Sequence, residues 1–187
     1  MANPAQIYGI YRTLAAHAEE VRDFQLAKGE PVSSTVRLLC ARDPAAPLAR
    51  WAEEMEELLG VLDGTHQDSY LMEATQTFYW ASLYAALQGA TWEQLAFAES
   101  RRQAVTAFDG VPSIRAGVVR LAAMGVQALP GKLFLLWQAA DRHYRAITPA
   151  DQQWSVEQIM AADLAEMRKR PYLAPILALC PETPTGP

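Results

Sequence analysis

Between Asp68 and Gln88, apolar side chains (Leu71, Met72, Ala74, Phe78, Tyr79, Ala81, Leu83, Tyr84, Ala85 and Leu87) fall all round a wheel of 3.6 residues per turn. A helix without a solvent face must be surrounded by other helices, so this segment is predicted to sit at the centre of a bundle. The uncharged stretch runs from Ala74 to Trp92, but Thr, Gln, Ser and Gly interrupt it, which points to a buried helix rather than a membrane span. No segment shows the period-two alternation between turn residues that marks a strand. The predicted fold is therefore all-α, a helical bundle. With 187 residues, 51% hydrophobic and 20% charged, the chain can build one substantial core. One domain is expected over residues 1–180, with a disordered Pro-rich tail at 181–187.

Start and stop signals divide the bundle. A first helix is predicted over residues 4–28, ending at Gly29, and Ser33 or Ser34 caps a short segment through Cys40. Asp43-Pro44 opens an acidic helix that closes at Asp63-Gly64. The central helix follows and stops at Gly89. Thr91-Trp92-Glu93-Gln94 has the form of a capping box opening a helix that closes at Asp109-Gly110. Helices are then expected over 114–129, 132–147 and from Thr148-Pro149 to about 170, with a short apolar segment over 172–179. Short connections favour antiparallel neighbours.

A formal net charge of −5 and a pI of about 5.2 give no basic footprint for nucleic acid or an anionic membrane. Arg168-Lys169-Arg170 sits at a helix end before Pro171, where cations complement the helix dipole. Cys40 and Cys180 are far apart, so neither a disulfide framework nor a zinc site is indicated. The first residues lack a basic region followed by an apolar run, and a cytoplasmic location is expected. His17, His66 and His143 stand isolated, the last read as a surface or packing residue. The Glu-x-x-His pairs of di-iron bundles, Gly-rich phosphate loops and Ser or Cys nucleophile motifs are all missing from the sequence.

On the acidic helix, Leu48, Trp51, Ala52, Met55, Leu58, Leu59 and Leu62 form an apolar stripe toward the core. Glu54 and Glu57 lie on one flank, Glu53 is near Glu57, and Glu56 falls on the other flank. Four acids in five residues repel one another by a few tenths of a kcal/mol per like-charged pair, so compensation is expected. The central helix carries Glu73 near its start, then Gln76 and Trp80 on the same side. A carboxylate entering a buried helix is costly unless it is paired or bound to a metal. Two readings follow: a solvated acidic face with Glu73 favoured by the helix dipole, or a site for a hard cation, Mg²⁺ or Mn²⁺, of the kind that bridges to phosphates.

Residues 21–102 resemble the all-α nucleotide pyrophosphohydrolases of the MazG, dUTPase-like and phosphoribosyl-ATP pyrophosphohydrolase superfamily. Glu53-Glu54-Met55-Glu56-Glu57-Leu58 is similar to that family's first acidic motif, and Glu73-Ala74-Thr75-Gln76 occupies the place of its Glu-x-x-Asp. Val21-Arg22-Asp23-Phe24 leading to Gly29-Glu30-Pro31, and the run from Ala86 to Leu95, are also similar. Gln76 departs from the pattern: it keeps a neutral oxygen but lacks a charge.

The resemblance implies a four-helix core over about 4–108 with a C-terminal helical extension over about 111–180, and a homodimer. It implies Mg²⁺ (or Mn²⁺) held by Glu54, Glu57 and Glu73, with Gln76 a weaker or outer partner. Glu53 would ligate or orient the attacking water, and a nucleotide would be cleaved between its α and β phosphates. Arg101 and Arg102 are candidates for neutralising phosphate charge, and Trp80 or Tyr79 for stacking on a base. The alternative is a non-catalytic helical dimer of the same fold that binds a ligand or partner.

Overall fold

The computed structural model describes residues 2–180; the tail at 181–187 lies outside the described residues. The helices are α1 (Pro4–Ala16), α2 (Ala18–Ala27), α3 (Ser34–Ala41), α4 (Ala45–Asp63), α5 (Tyr70–Leu87), α6 (Trp92–Leu95), α7 (Phe97–Ala107), α8 (Val111–Met124), α9 (Pro130–Ile147), α10 (Val156–Arg168) and α11 (Ala174–Leu179). Three 3-10 turns, at Gly125–Gln127, Ala150–Gln152 and Pro171–Leu173, complete the regular structure among the described residues. The fold is an all-α bundle. No helix of the described residues is long and apolar enough to cross a membrane.

α5 is central, as its lack of a polar face requires: α4, α1, α9 and α10 all pack on it. Phe78 at its middle is fully buried among the rings of Phe97, Phe134 and Trp137. The polar tips of the large buried residues are satisfied across helices. Trp137 donates to the Ala74 carbonyl at 2.9 Å, Tyr84 to Ala128 at 2.7 Å and Tyr8 to Ala90 at 2.6 Å, which offsets the cost of burying each group. One contiguous core runs from Ala2 to Ile176, and α9 enters it directly.

Several predicted helices are broken or begin later than their local signals imply. The first divides at His17, whose backbone leaves the helical region (φ −110°, ψ 20°). The helix opened by the Thr91 and Gln94 capping box, which forms as expected, stops after one turn at Ala96, held at φ 49°. There the Leu95 carbonyl lies so close to Gly131 that a Cβ on the glycine would stand 2.8 Å from it. Asp43 accepts from the Ala45 amide at 2.9 Å at the start of α4. Pro149 leads only into a 3-10 turn; α10 begins at a second capping box, Ser155 with Gln158.

Candidate metal centre and adjoining cavity

α4 and α5 form an antiparallel hairpin and make the most extensive helix–helix contact among the described residues. The hairpin register is fixed at several rungs. Arg50 stacks over the Trp80 ring at 5.6 Å, Thr77 donates to the Glu54 carbonyl at 3.2 Å, and Glu57 meets Glu73. Beyond Glu57 the connection folds back. The Thr65 and His66 amides both donate to the Gly60 carbonyl, at 2.8 and 3.0 Å, and the His66 Cβ lies 2.8 Å from where a Cβ on Gly60 would stand. Only glycine permits that approach.

This closure sets His66 beside the two acids. One ligand atom each from Glu57, His66 and Glu73 lie within 4.8 Å of one another. A cation with bonds of about 2.1 Å spans at most about 4.2 Å between opposite donors and about 3 Å between neighbouring ones, so side-chain rotation must draw the trio closer before it can share one ion. His66 was expected to stand isolated; the Gly60 contact brings it to the acids, and no residue local to His66 signals this.

The electrostatics of the centre are unresolved by protein groups. Glu73 is 1% exposed and neither carboxylate oxygen has a hydrogen-bond partner; Glu54 is equally buried and its Oε2 also lacks one. His66 Nε2 stands 3.7 Å from Glu73 and 2.9 Å from Asp68, without hydrogen-bond geometry to either. Burial pushes the Glu73 carboxyl up to about 7, with the Glu57 and Glu54 charges adding to the rise and His66 opposing it. Burial also raises Glu54 above the ordinary carboxylate range, against the Arg50 guanidinium. Buried acids held in this way favour a proton or a cation between them.

The expected compensation for the acidic run comes from two arginines. Arg50 pairs with both Glu53 and Glu54, the latter at 2.6 Å, and Arg115 of α8 pairs with Glu56 at 2.7 Å and Asp63 at 3.0 Å. Glu57 is the member of the run with no ion pair among the described residues. Glu53 is exposed and held by Arg50, and Glu54 lies outside the Glu57–His66–Glu73 trio, one helical turn away.

Gln76 and Trp80 continue the Glu73 side of α5 away from the acids. With Arg50 and Tyr79 they line a cavity of about 340 Å³ that Asp163 and Glu166 of α10 close together with Arg170 beyond its end. Tyr11 donates to Asp163 Oδ1 at 2.6 Å, while Oδ2 is buried without a partner. Burial raises Asp163 to about 7, opposed by the Tyr11 hydrogen bond and Arg170. Arg101 and Arg102 are elsewhere. Arg102 pairs with Glu99 on an exposed face, and Arg101 lines a different cavity that shares no residue with this one. The cation beside the acids is Arg50, legible in retrospect from its i,i+4 spacing to Glu54.

No family model, curated protein or solved structure matches this chain.

Proposed function

We propose that the chain is a divalent-cation-dependent nucleotide pyrophosphohydrolase with a MazG-like α4–α5 core. The observation that carries this reading is the order of groups along the α4–α5 hairpin, whose groove at the Trp80 end is the cavity of about 340 Å³. Unpartnered carboxylates of Glu57 and Glu73 stand at one end, Arg50 beside Glu54 in the middle, and the Trp80 and Tyr79 rings at the cavity end. That order matches the polarity of a nucleotide, whose phosphates require cations and whose base requires an aromatic wall. A bound cation would supply Lewis acidity to the phosphate chain and a more acidic water.

The chain's own residues supply the remainder. Glu57 and Glu73 hold the cation, with Glu54 next to them and His66 as the nitrogen donor. Arg50 exchanges a carboxylate for a phosphate, and Glu53, which shares Arg50, is left to orient water. Above about pH 7 Asp163 Oδ2 offers an acceptor to an N–H of the base. An imidazole among carboxylates shifts preference from Mg²⁺ toward Mn²⁺ or a later divalent metal.

A second reading is supported by two specific observations: Gln76 lines the cavity where the resembling family has an acid, and Arg50 already occupies Glu53 and Glu54. In that reading the groove binds a nucleotide without cleaving it. Calorimetric titration with Mg²⁺ and Mn²⁺, followed by a nucleotide panel assayed for pyrophosphate, separates the two. Metal binding with turnover that Glu57→Ala abolishes, without loss of thermal stability, is the enzyme result. Nucleotide binding without pyrophosphate is the binding-protein result, and absence of metal binding and of turnover removes the enzyme reading.

A further inference from the structure

Gln138, Asp141, Arg142 and Arg145 recur at i, i+3, i+4 and i+7 and so share one side of α9. With Arg101 they border a second cavity, of about 320 Å³, that has no residue in common with the groove just described. Its apolar wall is aromatic: Trp92 stacks on Phe97 with centroids 5.0 Å apart, and Trp137 stands 6.3 Å from Phe97. Two polar atoms on its lining side chains are buried and have no hydrogen-bond partner, Gln138 Oε1 and Arg142 Nε.

Both side chains are fixed by their other ends. Gln138, only 5% exposed, donates through Nε2 to the Phe97 carbonyl at 2.9 Å, and Arg142 donates to the Phe108 carbonyl. A buried guanidinium N–H with no acceptor carries the full desolvation penalty of the group, and a ligand oxygen removes it. The charges around the cavity state what kind. Arg145 is taken by Asp141 through two hydrogen bonds of 2.9 and 3.0 Å. Arg142 and Arg101 form no ion pair among the described residues, while Glu157 on the first turn of α10 contributes one negative charge. One positive charge is left over, which suits a monoanion; a dianionic phosphate would leave excess negative charge beside Glu157.

We propose that this cavity binds a small aromatic monocarboxylate bearing an N–H group. Its ring lies against Trp92, Phe97 and Trp137, its carboxylate meets Arg142 and Arg101, and its N–H donates to Gln138 Oε1. The volume is at the lower end for small-molecule sites and fits one or two rings. The site is independent of the hairpin groove, so its test is independent of the reading given there.

The test titrates the full chain with benzoate, 2-aminobenzoate, indole-3-acetate and the neutral benzamide, followed by tryptophan fluorescence and calorimetry. Saturable binding of the carboxylates is expected, with benzamide weaker by about tenfold or more, as loss of a charge-assisted pair implies. Arg101→Glu, on an exposed side chain, should weaken the carboxylates by at least about tenfold at unchanged thermal stability. Gln138→Met should erase the preference for 2-aminobenzoate over benzoate. No saturable binding of any carboxylate in the millimolar range, equal binding of benzamide, or full affinity in the Arg101→Glu protein each overturns the proposal.

Discussion

Replacing Glu73 by Gln tests whether the hairpin centre is a place built for a cation. In the folded chain Glu73 keeps its proton until about pH 7, whereas the unfolded carboxyl ionises from about 4.5. The unfolded state therefore gains from ionisation first, and stability falls as pH rises through that window, by at most about 1.4 kcal/mol per pH unit. The accumulated loss is on the order of 3 kcal/mol, and it stays constant above pH 7. Gln is isosteric with the protonated acid and does not titrate. Glu73→Gln should thus match the parent near pH 4 and exceed it at pH 8, by a melting-temperature difference on the order of 5–10 °C for a chain of this size. Mn²⁺ should close the gap by stabilising the parent, by about 2.7 kcal/mol at a hundredfold excess over Kd, and should stabilise the variant far less. Thermal unfolding followed by circular dichroism between pH 4 and 8.5, with chelator and with Mn²⁺, measures all three. A variant less stable than the parent at pH 8, or a difference that does not change with pH, refutes the reasoning.

Asp163 follows the same sign. Its folded carboxyl is raised to about 7 against 3.8 in the unfolded chain, so Asp163→Asn, whose Oδ1 still accepts from Tyr11, should stabilise the protein at pH 8 by about 2–4 kcal/mol and leave it unchanged at pH 3.5, read by denaturant unfolding. Gly60→Ala places a Cβ 2.8 Å from that of His66; the loop must move, and Mn²⁺ affinity measured by calorimetry should drop about tenfold or more while the helical signal is retained. Arg50→Gln removes the partner of a 1% exposed carboxylate and should cost about 1–3 kcal/mol at pH 8. Less should be lost near pH 5, where Glu54, already raised, takes up a proton more readily; equal losses at both pH values would count against a buried Glu54 charge.

The parts of the fold legible in the sequence are those in which local and global preferences coincide. α5 is recognisable as central because nothing on it could face water, and the Thr91 and Gln94 capping box forms because its partners lie within one turn. The Ala96 break carries no local signal: alanine is a good helix former, and its positive φ is imposed by the packing of Gly131 on the preceding turn. The start of α10 also differs from the expectation. The helix is expected to open at Thr148-Pro149, yet it begins at the Ser155 and Gln158 capping box, while Gln153 secures the intervening turn by donating to the Arg145 and Thr148 carbonyls.

The candidate site is legible to the same extent. Glu57 and Glu73 can be picked out as chemically suited acids, but their meeting depends on the hairpin register, and the arrival of His66 depends on the missing Cβ of Gly60. The arginines carry the stronger argument. An acidic face that served only solubility would gain by pairing every member, and α4 does pair three of its four clustered acids: Glu53 and Glu54 with Arg50, and Glu56 with Arg115. Glu57 is left without an ion pair among the described residues, and it is the acid that faces the buried, unpartnered Glu73. Above about pH 7, where Glu73 has lost its proton, the two carboxylates at this rung repel each other and cost stability in the protein alone, while every neighbouring acid of the run is compensated. That cost disappears when a cation lies between them, which is why the metal titration rather than the stability of the apo chain decides what the groove is for.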